Sequence, residues 1–381
     1  MAIEYGRAET EKAVLIGLAY DSHRRREVSI SLEELARLTY SAGGSVVGQR
    51  TQVRRKPNPT YFVGRGLVDE LKDMLPELGA NCVIFDDTLS PAQQRNLEQA
   101  LEAKVIDRPI LILDIFATRA RTRPARLQVE LAQLEYLLPR LTGAWIHFSR
   151  QYGGIGAKGP GETQLEIDRR RVRDKIAHLK ARLAKLDRQR STQRKRRQAM
   201  FKVALVGYTN AGKSTLFNRL TQSDVSTADM LFTTLDSTSR AMSTSHPCRI
   251  VISDTVGFIK KLPHQLVESF KSTLEEVCLA DLLLQVIDCS QPDVEERIAQ
   301  TRQVLDEIGA DGIPYLLIYN KIDAHPGFLP LPGYEAPSLA VSAARDQGIA
   351  ALKAELIARS HRYLQAEDKR ELKFRHSHTD K

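Results

Sequence analysis

The stretch KVALVGYTNAGKSTLFNRL, residues 202–220, constrains this chain more than any other. It sets G-x-x-x-x-G-K-S between an apolar run that reads as a buried strand and a segment with helical spacing. That context turns a short pattern into a phosphate-binding loop. Gly207 and Gly212 let backbone N–H groups turn inward, and the helix start behind them adds its dipole. Tyr208, Thr209, Asn210 and Ala211 form the body of the loop, and Thr215 continues it into the helix. Lys213 is expected to reach the β- and γ-phosphates, with the Ser214 hydroxyl on Mg²⁺.

The base is specified downstream. Asn320-Lys321-Ile322-Asp323 follows the apolar run PYLLIY and matches N-K-x-D. A carboxylate at Asp323 can accept both N–H groups on the Watson–Crick edge of guanine, which adenine does not offer. A site built on such acceptors discriminates by roughly 10⁴-fold. Ser342 and Ala343, after the run LAV, complete a guanine pocket, with the Ala343 N–H directed at the guanine O6.

Between these motifs lie the switch candidates. Asp254-Thr255-Val256-Gly257 ends the run RIVIS and fits D-x-x-G. Asp254 is expected to hold Mg²⁺ through water, and Gly257 to meet the γ-phosphate. Phe232, Thr233 and Thr234 supply the other switch, with Thr234 the expected Mg²⁺ and γ-phosphate ligand and Thr233 its alternative. Lys213, Thr234 and Gly257 are thus the expected catalytic contacts. The residue after D-x-x-G is Phe258, where Ras-like proteins place a glutamine that orients water. Unassisted hydrolysis is therefore expected near the ~10⁻⁴ s⁻¹ scale. Asn210 stands where some potassium-stimulated GTPases hold a monovalent ion, which makes K⁺ a second expected cofactor.

Around these motifs the pattern is α/β throughout. Residues 14–120 alternate strand-like runs (AVLIGLAY, NCVIFDD, KVIDR) with helix-like ones. Ser31 reads as the N-cap of the first helix and Ser90 as the cap of SPAQQRNLEQALEA. A small domain with a largely parallel sheet follows. Leu127, Leu131, Leu134, Leu138 and Leu141, and then Val172, Ile176, Leu179, Leu183 and Leu186, repeat a 4, 3, 4, 3 spacing. Two such seams predict an antiparallel helical hairpin. From residue 201 the alternation is that of a doubly wound domain. The expected domains are 1–119 (α/β), 120–198 (hairpin with a glycine-rich tip and basic linker) and 199–362 (nucleotide-binding), with 363–381 a polar, disordered tail.

The hairpin tip contains Gly154-x-Gly156-x-x-Gly159, the spacing of a dinucleotide turn. Its context is wrong for that. No acidic residue answers it after a second strand, and a basic heptad helix follows instead of a βαβ unit. Residues 169–197 hold 14 Lys and Arg against two Asp, within a chain of net charge +9. The glycines are better suited to letting a loop fit folded RNA. Arg150 and Lys158, with Arg169, Arg170, Arg171 and Arg173, would then meet phosphates.

The remaining composition excludes several classes. Cys82, Cys248, Cys278 and Cys289 are far apart, as in a reducing cytoplasm. The N-terminal stretch MAIEYGRAETEK is too charged for a secretory signal, and no run approaches the ~20 apolar residues of a membrane span.

GPGETQLE, LVGYTNAGKSTLFNRL, FTTLDSTSR, DTVGFIKKLPH and NKID together resemble the HflX family of GTPases, as do DDTLSPAQQRNLE and LQVELAQLEYLLPRL. The likeness runs from about residue 14 to 360. It implies an N-terminal α/β domain, a helical hairpin and a GTPase domain. It further implies GTP hydrolysis on the large ribosomal subunit and its rRNA, with the tip loop reaching toward the peptidyl-transferase region. Splitting or rescue of stalled ribosomes under stress would be the outcome. The protein is expected to be cytoplasmic, a monomer off the ribosome, and without stable membrane insertion. Two other readings stand beside this one: an ATP/GTP-dependent remodelling factor, and a regulatory GTP switch for a protein partner.

Overall fold

The computed structural model describes residues 11–142, 164–195, 200–223, 231–232, 238–243, 250–261, 276–328, 330 and 337–379. They fall into two compact units. One lies within Met1–Ala184 and Lys260–Ser269, the other within Lys185–Ile259 and Phe270–Lys381.

In the first unit, strand β1 (Lys12–Ala19) is buried along all but its first residue, because it lies inside a parallel sheet covered on both faces. Helix α1 (Arg25–Ser41), β2 (Ser45–Val53), α2 (Arg65–Leu78), β3 (Cys82–Phe85), α3 (Pro91–Leu101) and β4 (Lys104–Asp107) follow. The sheet order is β2-β1-β3-β4, every pair parallel, with Ile16 beside Phe85 and Phe85 beside Asp107. Val14, Ile16, Leu71, Val83, Phe85, Leu97 and Val105 form its core.

Helix α3 starts as expected. Ser90 accepts from the Gln93 N–H while Gln93 reaches back to the Ser90 N–H. Ser31 is a correction. The helix begins at Arg25, and Ser31 lies inside it, where its hydroxyl donates to Asp86 Oδ2 at 2.8 Å. Its partner is supplied by the tertiary fold, from 55 residues away. The guanidinium of Arg108, fully buried, spans Asp86 (2.6 Å), Glu34 (2.9 Å) and the Ser31 carbonyl (2.9 Å). Lys261 adds a second cation on Asp86 and Asp87.

Helices α4 (Arg108–Arg119) and α5 (Arg123–Leu137) are capped by Asp107 and Thr122, each with a proline in the first turn. Of the seam expected to continue α5, Leu138 and Leu141 lie in a 3₁₀ turn, Leu138–Thr142, instead of an α-helix. Helix α6 (Gln164–Lys195) runs for 32 residues. Leu127, Leu131 and Leu179 are buried, whereas Val172, Ile176, Leu183 and Leu186 are half-buried. Ion pairs Glu130–Lys175 (2.6 Å) and Glu135–Lys180 (2.8 Å) join α5 to α6 and advance in the same sense along both, so these stretches run parallel, which corrects the antiparallel packing expected of the two seams. The tip, 143–163, lies outside the described residues.

The second unit contains β5 (Phe201–Gly207), α7 (Lys213–Thr221), β6 (Thr238–Ala241), β7 (Ile250–Asp254), β8 (Leu282–Asp288), α8 (Val294–Glu307), β9 (Tyr315–Asn320), β10 (Ser338–Ala340) and α9 (Ile349–Thr379). The sheet order is β10-β9-β8-β5-β7-β6. All pairs are parallel except the edge strand β6. The chain leaves β5 for β7 on one side and returns to β8 on the other. The order therefore reverses at β5, which opens a crevice beyond its carboxyl end.

The disordered tail expected for residues 363–381 is corrected by α9, which continues unbroken to Thr379. Leu352 and Leu356 anchor its first half in the core, and Tyr363 packs its ring against Phe201, centroids 5.3 Å apart. Extending an established helix carries no nucleation cost, and QAEDKRELKFRH contains neither glycine nor proline.

A candidate nucleotide site at the carboxyl end of the central strand

The phosphate-loop residues, D-x-x-G and N-K-x-D all meet at the carboxyl ends of β5, β7 and β9. Backbone geometry makes the loop. Gly207 has φ +140°, and a Cβ there would lie 2.2 Å from the Val286 carbonyl oxygen. Gly212 has φ +88°, and its Cβ would lie 2.2 Å from Asn320 Nδ2. Neither position admits a side chain. Asn210, exposed, takes φ +60°, a conformation asparagine tolerates.

Lys213 is buried at the start of α7 and donates to the carbonyls of Tyr208 (2.8 Å) and Gly207 (3.1 Å). Burial lowers its pKa to about 8, against the opposing pull of Asp254. Ser214 Oγ donates to Asp254 Oδ2 at 2.7 Å. A hydroxyl and a fully buried carboxylate thereby converge at the mouth of the crevice, and such hard oxygen donors suit Mg²⁺. Among the described residues no three His, Cys, Asp or Glu side chains form a metal site by themselves. An ion here would therefore share its coordination with phosphate oxygens.

D-x-x-G is laced to the phosphate loop through the backbone. The Thr209 N–H donates to the Phe258 carbonyl at 2.8 Å, and the Phe258 N–H to the Gly207 carbonyl at 3.1 Å. Gly257 is held so closely that an added Cβ would stand 2.8 Å from Thr209 and 2.9 Å from Lys213 Nζ. Phe258, at 3% exposed, is packed away from any water.

On the base side Asn320 is buried, and its amide braces two loops: Nδ2 donates to the Ala211 carbonyl, and Oδ1 accepts from the Ala343 N–H. The donor expected for guanine O6 is thus engaged by Asn320 at 3.0 Å. Asp323 Oδ1 accepts from Ser342 Oγ at 2.6 Å, and that hydrogen bond holds its carboxyl below the ordinary range. Lys321, at φ +67°, pairs with Asp288 at 2.7 Å.

Several supports carry no local signal in the sequence. Arg219 donates to the carbonyls of Ala343 and Ala344, both at 3.0 Å. Arg297 lies over the Tyr208 ring, 4.5 Å from its centroid. Phe232 is buried at φ +58°, whereas Thr233 and Thr234 lie outside the described residues, as do Arg150, Gly154, Gly156, Lys158 and Gly159. On α6, Arg170, Arg171 and Arg173 are exposed and Arg169 is half-buried.

Three family models match in series: "GTP-binding GTPase N-terminal" over residues 29–117, "GTP-binding GTPase Middle Region" over 119–197, and "50S ribosome-binding GTPase" over 202–321. The chain is 49% identical over 322 residues to GTPase HflX of Escherichia coli (strain K12), covering 84% of this chain and 75% of that protein. It is 49% identical over 315 residues to GTPase HflX of Flavobacterium psychrophilum, covering 83% and 76%. A solved GTP-binding protein of Sulfolobus solfataricus in complex with GDP aligns with 93% of this chain and all of its own, at 23% identity and a TM-score of 0.46. With nearly half of the residues shared across more than four-fifths of its length, and the GTPase motifs gathered at the carboxyl ends of the sheet's strands, this chain belongs to the HflX family and is a GTPase.

Proposed function

We propose that residues 207–215, 254–257, 320–323 and 342–343 hold GTP, that Phe232, Thr233 and Thr234 close over its phosphates, and that the GTP form binds the large ribosomal subunit. The observation that carries the nucleotide half is the convergence of Lys213, the Ser214–Asp254 pair and the Asn320 brace at the end of β5. Lys213 holds the β- and γ-phosphates, and the Gly257 N–H meets the γ-phosphate. Asp323 accepts from the base edge. Ser214 and Asp254, with Thr234, are the residues for Mg²⁺, which neutralises charge on the phosphate oxygens when bound. Asn210 is the position for K⁺, its amide lying at the loop's exposed rim.

The ribosomal half is supported by membership of the family and by the basic character of α6. Arg169, Arg170, Arg171 and Arg173 line its first turns, and the tip holding Arg150, Gly154, Gly156, Lys158 and Gly159 precedes it. In this reading α6 and the segment before it track rRNA phosphates, hydrolysis releases the protein, and splitting or rescue of stalled ribosomes under stress is the result. The protein acts in the cytoplasm as a monomer off the ribosome. Boundaries at 119 and 198 separate the N-terminal, RNA-facing and nucleotide-binding parts of the chain in this reading.

The test is GTP turnover by the protein alone, with small subunits and with large subunits, at fixed Mg²⁺ and K⁺. Turnover near ~10⁻⁴ s⁻¹ alone, raised strongly by large subunits only, is expected. Equal rates in all three mixtures would remove the ribosomal half. Binding to large subunits should also weaken steeply with salt, because each neutralised phosphate releases counterions.

A further inference from the structure

The geometry points to Thr209 as the residue that orients the attacking water, in place of the glutamine that Phe258 displaces. Its hydroxyl is a polar group of the site that no hydrogen bond accounts for. Thr209 is 4% exposed, yet Oγ1 is buried with no hydrogen-bond partner. Most buried side-chain hydroxyls in native proteins are hydrogen-bonded, and one that is not calls for an explanation, such as a partner that arrives later. The main-chain N–H of Thr209 is already engaged, donating to Phe258 O at 2.8 Å.

Position indicates what that partner is. One point, the place of an added Cβ on Gly257, lies 2.8 Å from Thr209 Cα, 2.8 Å from its Cγ2 and 2.9 Å from Lys213 Nζ. Thr209, Gly257 and Lys213 are therefore packed directly against one another, with the Cγ2 methyl the nearest Thr209 side-chain atom, and a turn about χ1 exchanges that methyl with the hydroxyl. Lys213 and Gly257 are the two groups that meet the γ-phosphate, and Thr209 is the neutral side chain beside them. Phe258, the following residue, offers only an apolar ring. A threonine hydroxyl carries one donor and two acceptor lone pairs. It can accept from a water in line with the γ-phosphorus while donating to a γ-phosphate oxygen. In the step it serves, the water oxygen bonds to the γ-phosphorus and the bond from that phosphorus to the β,γ-bridging oxygen breaks. GDP leaves with the bond's electrons, and the water proton passes to the phosphate product.

The inference rests on 207–215 being the phosphate loop, and the experiment separates the two. Thr209→Val keeps the shape and removes the hydroxyl; Thr209→Ser keeps the hydroxyl and removes the methyl. Single-turnover GTP hydrolysis is measured with and without large ribosomal subunits, alongside GDP affinity from a fluorescent GDP titration and the melting temperature. Thr209→Val should slow hydrolysis by about 10²-fold, as loss of one transition-state hydrogen bond does elsewhere, with GDP affinity and melting temperature unchanged. Thr209→Ser should restore most of the rate. Hydrolysis at the wild-type rate in Thr209→Val would overturn the assignment. So would a loss of rate matched by equal losses of GDP affinity and melting temperature in both variants, which is the signature of a brace. Lys213→Ala is the control for the loop itself: undiminished GDP binding there would remove the phosphate-loop reading together with this one.

Discussion

The side-chain amide of Asn320 spans the nucleotide site: it donates to Ala211 O at 2.9 Å and accepts from Ala343 N at 3.0 Å, across 109 and 23 residues of sequence. The phosphate loop and the base loop are therefore tied to each other through one side chain at the end of β9. Substituting Asn320 by Ala would leave a buried carbonyl and a buried N–H without partners, each costing about 1–3 kcal/mol. GDP affinity and unfolding free energy should both fall, as read by nucleotide titration and urea denaturation. Wild-type values in both would show that the brace is not needed.

Lys213 makes nucleotide binding sensitive to alkaline pH. Burial lowers its pKa from 10.5 to about 8 in the free protein. Phosphates stabilise the ammonium, so the bound value is higher and binding takes up a proton wherever the free lysine is neutral. GDP affinity should be level below pH about 8 and fall by about tenfold per unit above it, until the bound pKa is reached. Calorimetry in two buffers of different ionisation enthalpy reads that proton directly. In Lys213→Met the alkaline fall should vanish along with most of the affinity.

Asp323 is held ionised by the Ser342 hydroxyl, so it remains an acceptor at any working pH. Asp323→Asn replaces one acceptor oxygen with a donor. GTP affinity should fall by about 10²-fold or more, while xanthosine triphosphate, whose C2 bears a carbonyl, should gain. Competition between the two nucleotides decides it, and an unchanged preference would place the base elsewhere.

The first unit rests on a different buried network. Arg108 is fully buried between Asp86 and Glu34. Arg108→Met removes one of the two cations on Asp86, leaving Lys261, and takes from Glu34 its buried partner; the cost should approach the figure of about 3–5 kcal/mol for breaking a buried pair. The double change Arg108→Met with Asp86→Leu should recover part of that loss. Equal destabilisation by the single and double variants, in urea melts followed by tryptophan-free far-UV signals, would assign the cost to packing alone.

Much of the molecule was readable before any coordinates. The strand runs AVLIGL, VALVG and LLL are continuously apolar or glycine because parallel strands are buried on both faces. Ser90 reads as a cap because its partner, Gln93, is three residues away. Edge elements were less legible. β2, with SVVGQRTQV, and β6, with TSRA, are half exposed and show neither a continuous apolar run nor a clean alternation.

The sequence by itself determined which chemistry the chain carries: residues close in sequence, such as Gly207 to Ser214, need only a strand before them and a helix after. Tertiary structure alone decided how those residues are held. Ser31 looked like a helix cap and is instead a ligand of Asp86, 55 residues distant. Asn320 looked like a base contact and is found bracing two loops. Thr209, packed against Gly257, was one loop residue among several until its hydroxyl proved buried and without a hydrogen bond. The physical reason is common to all three. A polar atom's partner is fixed by which backbone segments the core brings within 3 Å, and local sequence carries no record of that distance.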